Sequence, residues 1–121
     1  MDKRKHYTQM TNEETVAVLN AVRSNTYKFS PHAHERAMQK RVTETQVATM
    51  LGYGKVIEVH NNTASEVRVL MRGKVAGNWC NAVVSLTTKQ VVTVFWNALN
   101  DTHRTLDKSQ YKWSIDLKTV I

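Results

Sequence analysis

Two segments of this chain gather side chains able to move protons and to hold anions. The first, Phe29 to Arg41, contains His32, His34, Arg36, Lys40 and Arg41. The second, Asn97 to Thr105, contains Asn97, Asp101, His103, Arg104 and Thr105. Imidazole ionises near neutrality, so it can accept and donate a proton under the same conditions. Guanidinium adds a planar fork of donors suited to phosphate or carboxylate. The chemistry this composition favours is therefore proton transfer beside an anionic group. Metal ligation is poorly served. His32 and His34 stand two apart on a helix and point to different sides, and no His-x-x-x-His pair or carboxylate cluster accompanies them. No metal or cofactor is expected. Gly52-Tyr53-Gly54 lacks the preceding strand of a dinucleotide loop and reads as a helix end.

Three helices must position the first segment. Thr11 to Glu14 is a capping box that opens a helix running to about Arg23, with Val16, Leu19 and Val22 at helical spacing. Ser30 as N-cap and Pro31 at the first helical position start a second, ending near Lys40. On it Ala33 and Ala37 form a narrow apolar stripe, bordered by His32, Arg36 and Lys40 on one side and by His34, Met38 and Arg41 on the other. Thr43 to Gln46 is another capping box, and Gly52 and Gly54 end the helix it opens. Residues 1–10 are polar and expected to be mobile.

From Lys55 the period shifts to that of strands. Lys55–His60, Glu66–Arg72, Asn81–Leu86 and Val91–Trp96 are separated by Asn61-Asn62, by a loop over Gly73–Gly77, and by a turn over Thr87–Gln90. Alternation places Arg68, Leu70 and Arg72 on one side of their strand. Tyr111, Trp113, Ile115 and Leu117 alternate as a last strand or a cover over the sheet. The architecture implied is α+β, with the N-terminal helices packed on one face of a four- to five-stranded, mainly antiparallel sheet. Residues 11–121 make a single domain.

Composition narrows the partners. The 121 residues carry seventeen Lys and Arg against ten acids, a formal charge of +7, which attracts polyanions. The excess is spread along the chain, as suits a groove assembled by folding. No run approaches the roughly 18 apolar residues of a membrane span. Lys3-Arg4-Lys5 lacks the apolar stretch that would make it a secretion signal. A single cysteine, Cys80, rules out an internal disulfide and reads as core. A cytoplasmic, membrane-free protein is expected.

The run His32-Ala33-x-x-Arg36, then Val42-Thr43 before a capped helix, then Arg68 in a strand and Val91-Val92-Thr93-Val94 at the end of the sheet, resembles a bacterial and phage domain family. That family is grouped with the RelE-like (BECR) ribonuclease superfold, which includes RelE and BrnT toxins and the nuclease tips of some bacteriocins. The resemblance covers about residues 28–96. Ala37 replaces the usual methionine and Arg41 the usual glycine. The tail resembles the Trp-Asn…Asp-x-His-x-Thr-Leu-Asp endings of certain toxin-like variants. The resemblance implies a RelE-like fold and a metal-independent endoribonuclease of the toxin or phage host-takeover type. Its target would be mRNA, rRNA or tRNA, and an antitoxin or immunity protein its partner.

Cutting RNA without metal requires a base for the 2′-OH proton, an acid for the leaving 5′-oxygen, and cations for charge gathering on phosphorus. The expected constellation pairs His103 with His32 or His34, with Arg36 and either Arg68 or Arg104 on the phosphate. Thr105, Asn97 and Asp101 would orient His103 or substrate, and Arg41, Arg72 and Trp96 would extend the RNA surface. Two other classes stand beside it. A basic cleft with scattered histidines would bind nucleic acid without cutting it. A broad apolar patch using Trp79 and Trp96 would mark a protein-binding module, such as an inhibitor of a host enzyme.

Overall fold

Hydroxyl side chains set the starts of the three α-helices among the described residues, each of which begins where such a residue stands. The computed structural model describes residues 3–62 and 66–96. Asn97, Asp101, His103, Arg104 and Thr105 lie outside them, as does the last strand or cover expected over Tyr111–Leu117. Helix α1 (Asn12–Arg23) opens on a reciprocal box: Glu14 N–H donates to Thr11 Oγ1 at 3.1 Å and Thr11 N–H to Glu14 Oε1 at 3.1 Å. Thr43 and Gln46 repeat the device at 3.0 and 2.9 Å for α3 (Glu44–Tyr53). For α2 (Pro31–Gln39), Ser30 Oγ accepts from Ala33 N–H and donates to the Val92 carbonyl, each at 3.0 Å. That one hydroxyl caps the helix and pins it to the sheet.

The sheet has four long antiparallel strands, β3 (Lys55–Asn62), β4 (Glu66–Val75), β5 (Asn78–Ser85) and β6 (Gln90–Trp96). A short strand joins each edge, giving the order β1-β3-β4-β5-β6-β2. Strand β2 (Lys28–Phe29) runs parallel to β6 and leads into α2. Strand β1 (Lys3–His6) pairs with β3 within the stretch over which a mobile, unstructured N-terminus is expected. Ladder hydrogen bonds rather than apolar side chains hold such a strand, which is why hydrophobic periodicity does not reveal it. Lys5 Nζ lies 2.6 Å from Glu14 Oε2, tying β1 to α1. Its hydrogen bond, and then that from the Thr11 backbone, hold the Glu14 carboxyl below its ordinary value.

Two expectations are corrected. The loop expected over Gly73–Gly77 is strand up to Val75, and the reversal is the two-residue turn Ala76-Gly77 with φ of 50° and 84°. Positive φ at both central residues matches the twist of the flanking strands and closes a tight hairpin. Gly52 does not stop α3, which runs on to Tyr53 and is capped at Gly54.

One face of the sheet carries Val69, Met71, Ala82, Val84, Val91 and Val94, packed against Ala33 and Ala37 of α2 and Val47 and Met50 of α3. On the other face Ile57, Leu70, Val83 and Val92 form a smaller apolar cluster with Tyr7 and Phe95. Cys80 is fully buried in the helix-side core, where desolvation pushes its thiol up to about 12. It stays protonated at neutral pH and is no nucleophile.

Helix α2 ends in a left-handed cap. Val42 N–H donates to the Ala37 carbonyl at 3.0 Å and Arg41 N–H to Met38 at 3.1 Å, with Arg41 at φ 57°. An L side chain there costs about 1–2 kcal/mol, against about 0.3–1 kcal/mol from a cation near the helix C-terminus. Arg41→Gly is therefore expected to raise the thermal midpoint by a few degrees. A melting curve checks it.

Candidate nucleic-acid interface

Two β-bulges decide which side chains meet on the face away from the helices. In β3, Val56 lies opposite Met71 and Glu58 opposite Leu70, so Ile57 is an extra residue. Without it Glu58 and His60 would point with Val56 into the helix-side core. With it they share a face with Leu70, and His60 is the Cα partner of Arg68. In β6 the same device falls at Val92, between Val91 opposite Val84 and Thr93 opposite Val83.

Register then fixes the polar row. Glu58 and His60 come from β3, Arg68 and Arg72 from β4, Asn81 and Ser85 from β5, and Thr93 from β6. Glu58, Asn81, Ser85 and Thr93 are fully buried and His60 is 4% exposed. Burying polar groups is costly unless each has a partner, and a solvent-side sheet face is usually polar and wet instead. Thr93 Oγ1 is buried with no hydrogen-bond partner among the described residues. The Arg68 side chain is 13% exposed, with Nε 2.8 Å from Glu66 Oε1. At the hairpin end, the Arg72 guanidinium lies 4.4 Å above the Trp79 ring and Lys74 Nζ at 5.2 Å. Carboxylate, imidazole and guanidinium side chains thus occupy one face of the sheet, the combination that proton transfer beside an anion requires.

The expected residues divide between the two faces. Arg68 and Arg72 belong to this row. His32, His34 and Arg36 belong to α2, whose Ala33 and Ala37 pack on the opposite face. His34 is exposed, and its Nδ1 lies 2.7 Å from Glu44 Oε2, joining α2 to the first turn of α3. His32 and Arg36 are half-buried, and Arg41 is exposed at the end of α2. Trp96 packs against the helix-side core, and its indole Nε1 donates to the Lys40 carbonyl at 3.2 Å. That bond clamps the end of α2 to β6.

Glu58, His60, Asn81 and Thr93 were not among the expected site residues, and Trp79 was expected only in a protein-binding patch. The sequence did carry a signal for the first two: a doubled apolar pair, Val56-Ile57, followed by polar–apolar–polar, is the mark of a bulge in an otherwise alternating strand. A separate recess of about 370 Å³ lies on the helix layer, lined by Val22, Tyr27, Phe29 and Leu51 with Arg23 at its wall. Arg23 donates to the Gly54 carbonyl at 3.2 Å. Among the described residues, no three of His, Cys, Asp and Glu gather as a metal site would require. No helix there is long and apolar enough to cross a membrane. A family model described as a domain of unknown function, DUF4258, matches residues 29–96. No curated protein and no solved structure matches the chain.

Proposed function

The chain belongs to the DUF4258 family, and we propose that it is a metal-independent endoribonuclease whose RNA crosses the face of the sheet opposite α2 and α3. The observation that carries this reading is the row Glu58, His60, Arg68 and Arg72, brought to one face by the bulge at Ile57. Arg68 and Arg72 hold the scissile phosphate through forked donors. His60 takes the proton of the 2′-OH as that oxygen attacks phosphorus. Glu58, about 7 Å along the strand, favours the imidazolium so formed. The bond from phosphorus to the 5′-oxygen breaks, and His103, in the segment after β6, returns a proton to the leaving alkoxide. The products are a 2′,3′-cyclic phosphate and a 5′-hydroxyl. In this reading the protein acts in the cytoplasm as a toxin or host-takeover factor, with mRNA, rRNA or tRNA as target and an antitoxin or immunity protein as partner.

Binding without cleavage is the second reading, favoured by the burial of His60 and by the pairing of Arg68 with Glu66. Purified protein incubated with total cellular RNA in chelator separates the two. Cleavage leaves cyclic-phosphate termini at defined positions when fragment ends are sequenced. Intact RNA at high protein excess, with a retained mobility shift, leaves binding alone, and intact unbound RNA ends both readings.

A further inference from the structure

The end of the polar face at the β4–β5 hairpin has a chemistry of its own. Trp79 is 45% exposed, an unusual position for so large an apolar ring. It lines a recess of about 220 Å³ with Tyr7, Lys55 and Arg72. Lys74 is its direct cross-strand partner, and Arg72 lies over the ring. Lys55 pairs in register with Arg72 and lines the same recess, so two cations lie over the indole and a third stands at the recess wall. Such surroundings repel an apolar protein partner, which would have to bury those charges. They suit a ligand that is flat and aromatic at one end and anionic at the other.

Resting on RNA as the ligand of this face, we propose that the recess is a subsite for one unpaired nucleotide. Its base stacks on Trp79, held in place by the guanidinium of Arg72, and its phosphates are met by Lys55 and Lys74. A base inside a duplex has both faces covered and cannot enter. The subsite therefore makes the substrate single-stranded RNA, with at least one splayed base beside the scissile linkage. Because stacking engages only the face of the ring, it discriminates weakly among bases and strongly against paired or missing ones.

The test measures fluorescence anisotropy of a labelled 2′-O-methyl hexanucleotide, which binds but lacks the attacking hydroxyl. Its comparisons are a hairpin duplex and a fully abasic strand of the same length. Trp79→Ala is expected to weaken binding of the single strand by about five- to one-hundred-fold, and Trp79→Phe to restore most of it. The abasic strand should bind wild type and Trp79→Ala alike. Lys55→Gln with Lys74→Gln should flatten the salt dependence by about two phosphate contacts, whereas Trp79→Ala should leave that slope unchanged. Circular dichroism confirms that each variant is folded. Equal binding of the single strand by wild type and Trp79→Ala overturns the subsite and leaves the RNA reading of the face standing. Rescue by Trp79→Leu as complete as by Trp79→Phe also overturns it, because an aliphatic side chain cannot stack. No binding of any strand to wild type overturns the subsite and the RNA reading together.

Discussion

His60→Gln is expected to lower RNA cleavage by about 10²–10⁴-fold while leaving RNA binding and the thermal midpoint close to wild type. Glutamine keeps a polar side chain of comparable reach at a site that is 4% exposed, so the variant removes proton transfer without opening a cavity. Binding rests on the guanidinium and lysine groups of the same face and should survive. A positioning role for His60 would also lower the rate, so the rate alone does not decide. The pH–rate profile does: if His60 takes the 2′-OH proton, the acid limb of wild type disappears in the variant. Arg68→Lys supplies the complementary result. It keeps the charge and loses the fork, so it should slow cleavage more than it weakens binding. His34→Ala should change neither, since that imidazole is exposed and engaged with Glu44 on the helix layer. Full activity in His60→Gln would remove His60 from the reaction and return proton transfer to His32 and His103.

What could be read in advance follows from which forces are local. Capping is local: a hydroxyl three residues before its partner specifies a helix start within one turn, so Thr11, Ser30 and Thr43 announced all three helices. The long strands were also legible, because β-branched residues alternate within each. Two kinds of feature were not. Strand β1, and the pairing with β6 of the extended entry read at Tyr27–Phe29, exist because a neighbouring edge offers unpaired backbone groups, which is information held by another part of the chain. The composition of the polar face depends on bulges, and a one-residue insertion sends every later side chain of that strand to the opposite face. Strict alternation from Lys55 would put Glu58 and His60 on the helix side, away from Arg68 and Arg72. The motif on α2 drew attention to His32, His34 and Arg36. Its small residues are explained by packing, as Ala33 and Ala37 let α2 lie close to β6.

Close approach also underlies a large stability effect expected in this molecule. Gly73 lies in β4 on the helix side, directly beneath α3. A Cβ there would stand 2.6 Å from Met50 Cγ and 3.2 Å from Tyr53 Cε1. Flexible side chains often yield to such an intrusion, but Met50 is fully buried, and its Sδ also lies 2.9 Å from where a Cβ on Gly54 would sit. The thioether fills the gap left by two glycines and has no free direction to move. The Tyr53 hydroxyl donates to the Lys74 carbonyl one residue further along β4, which fixes the height of α3 over the strand. Gly73→Ala should therefore cost about 1–3 kcal/mol through overpacking, a fall of very roughly 5–20 °C in the midpoint for a domain of this size. Met50→Ala alone should cost about 2–5 kcal/mol through the cavity it leaves. Combined, the two should cost less than their sum by about 1 kcal/mol or more, because the truncated side chain makes room for the new methyl. Gly52 gives the contrast. It lies in the last turn of the same helix with nothing within 4 Å of its would-be Cβ, so Gly52→Ala should stabilise by up to about 1 kcal/mol. Denaturant titrations of the four variants read these differences directly. Strict additivity of Gly73→Ala and Met50→Ala would mean that α3 lifts as a unit from β4, and that Met50 is not what limits how closely they approach.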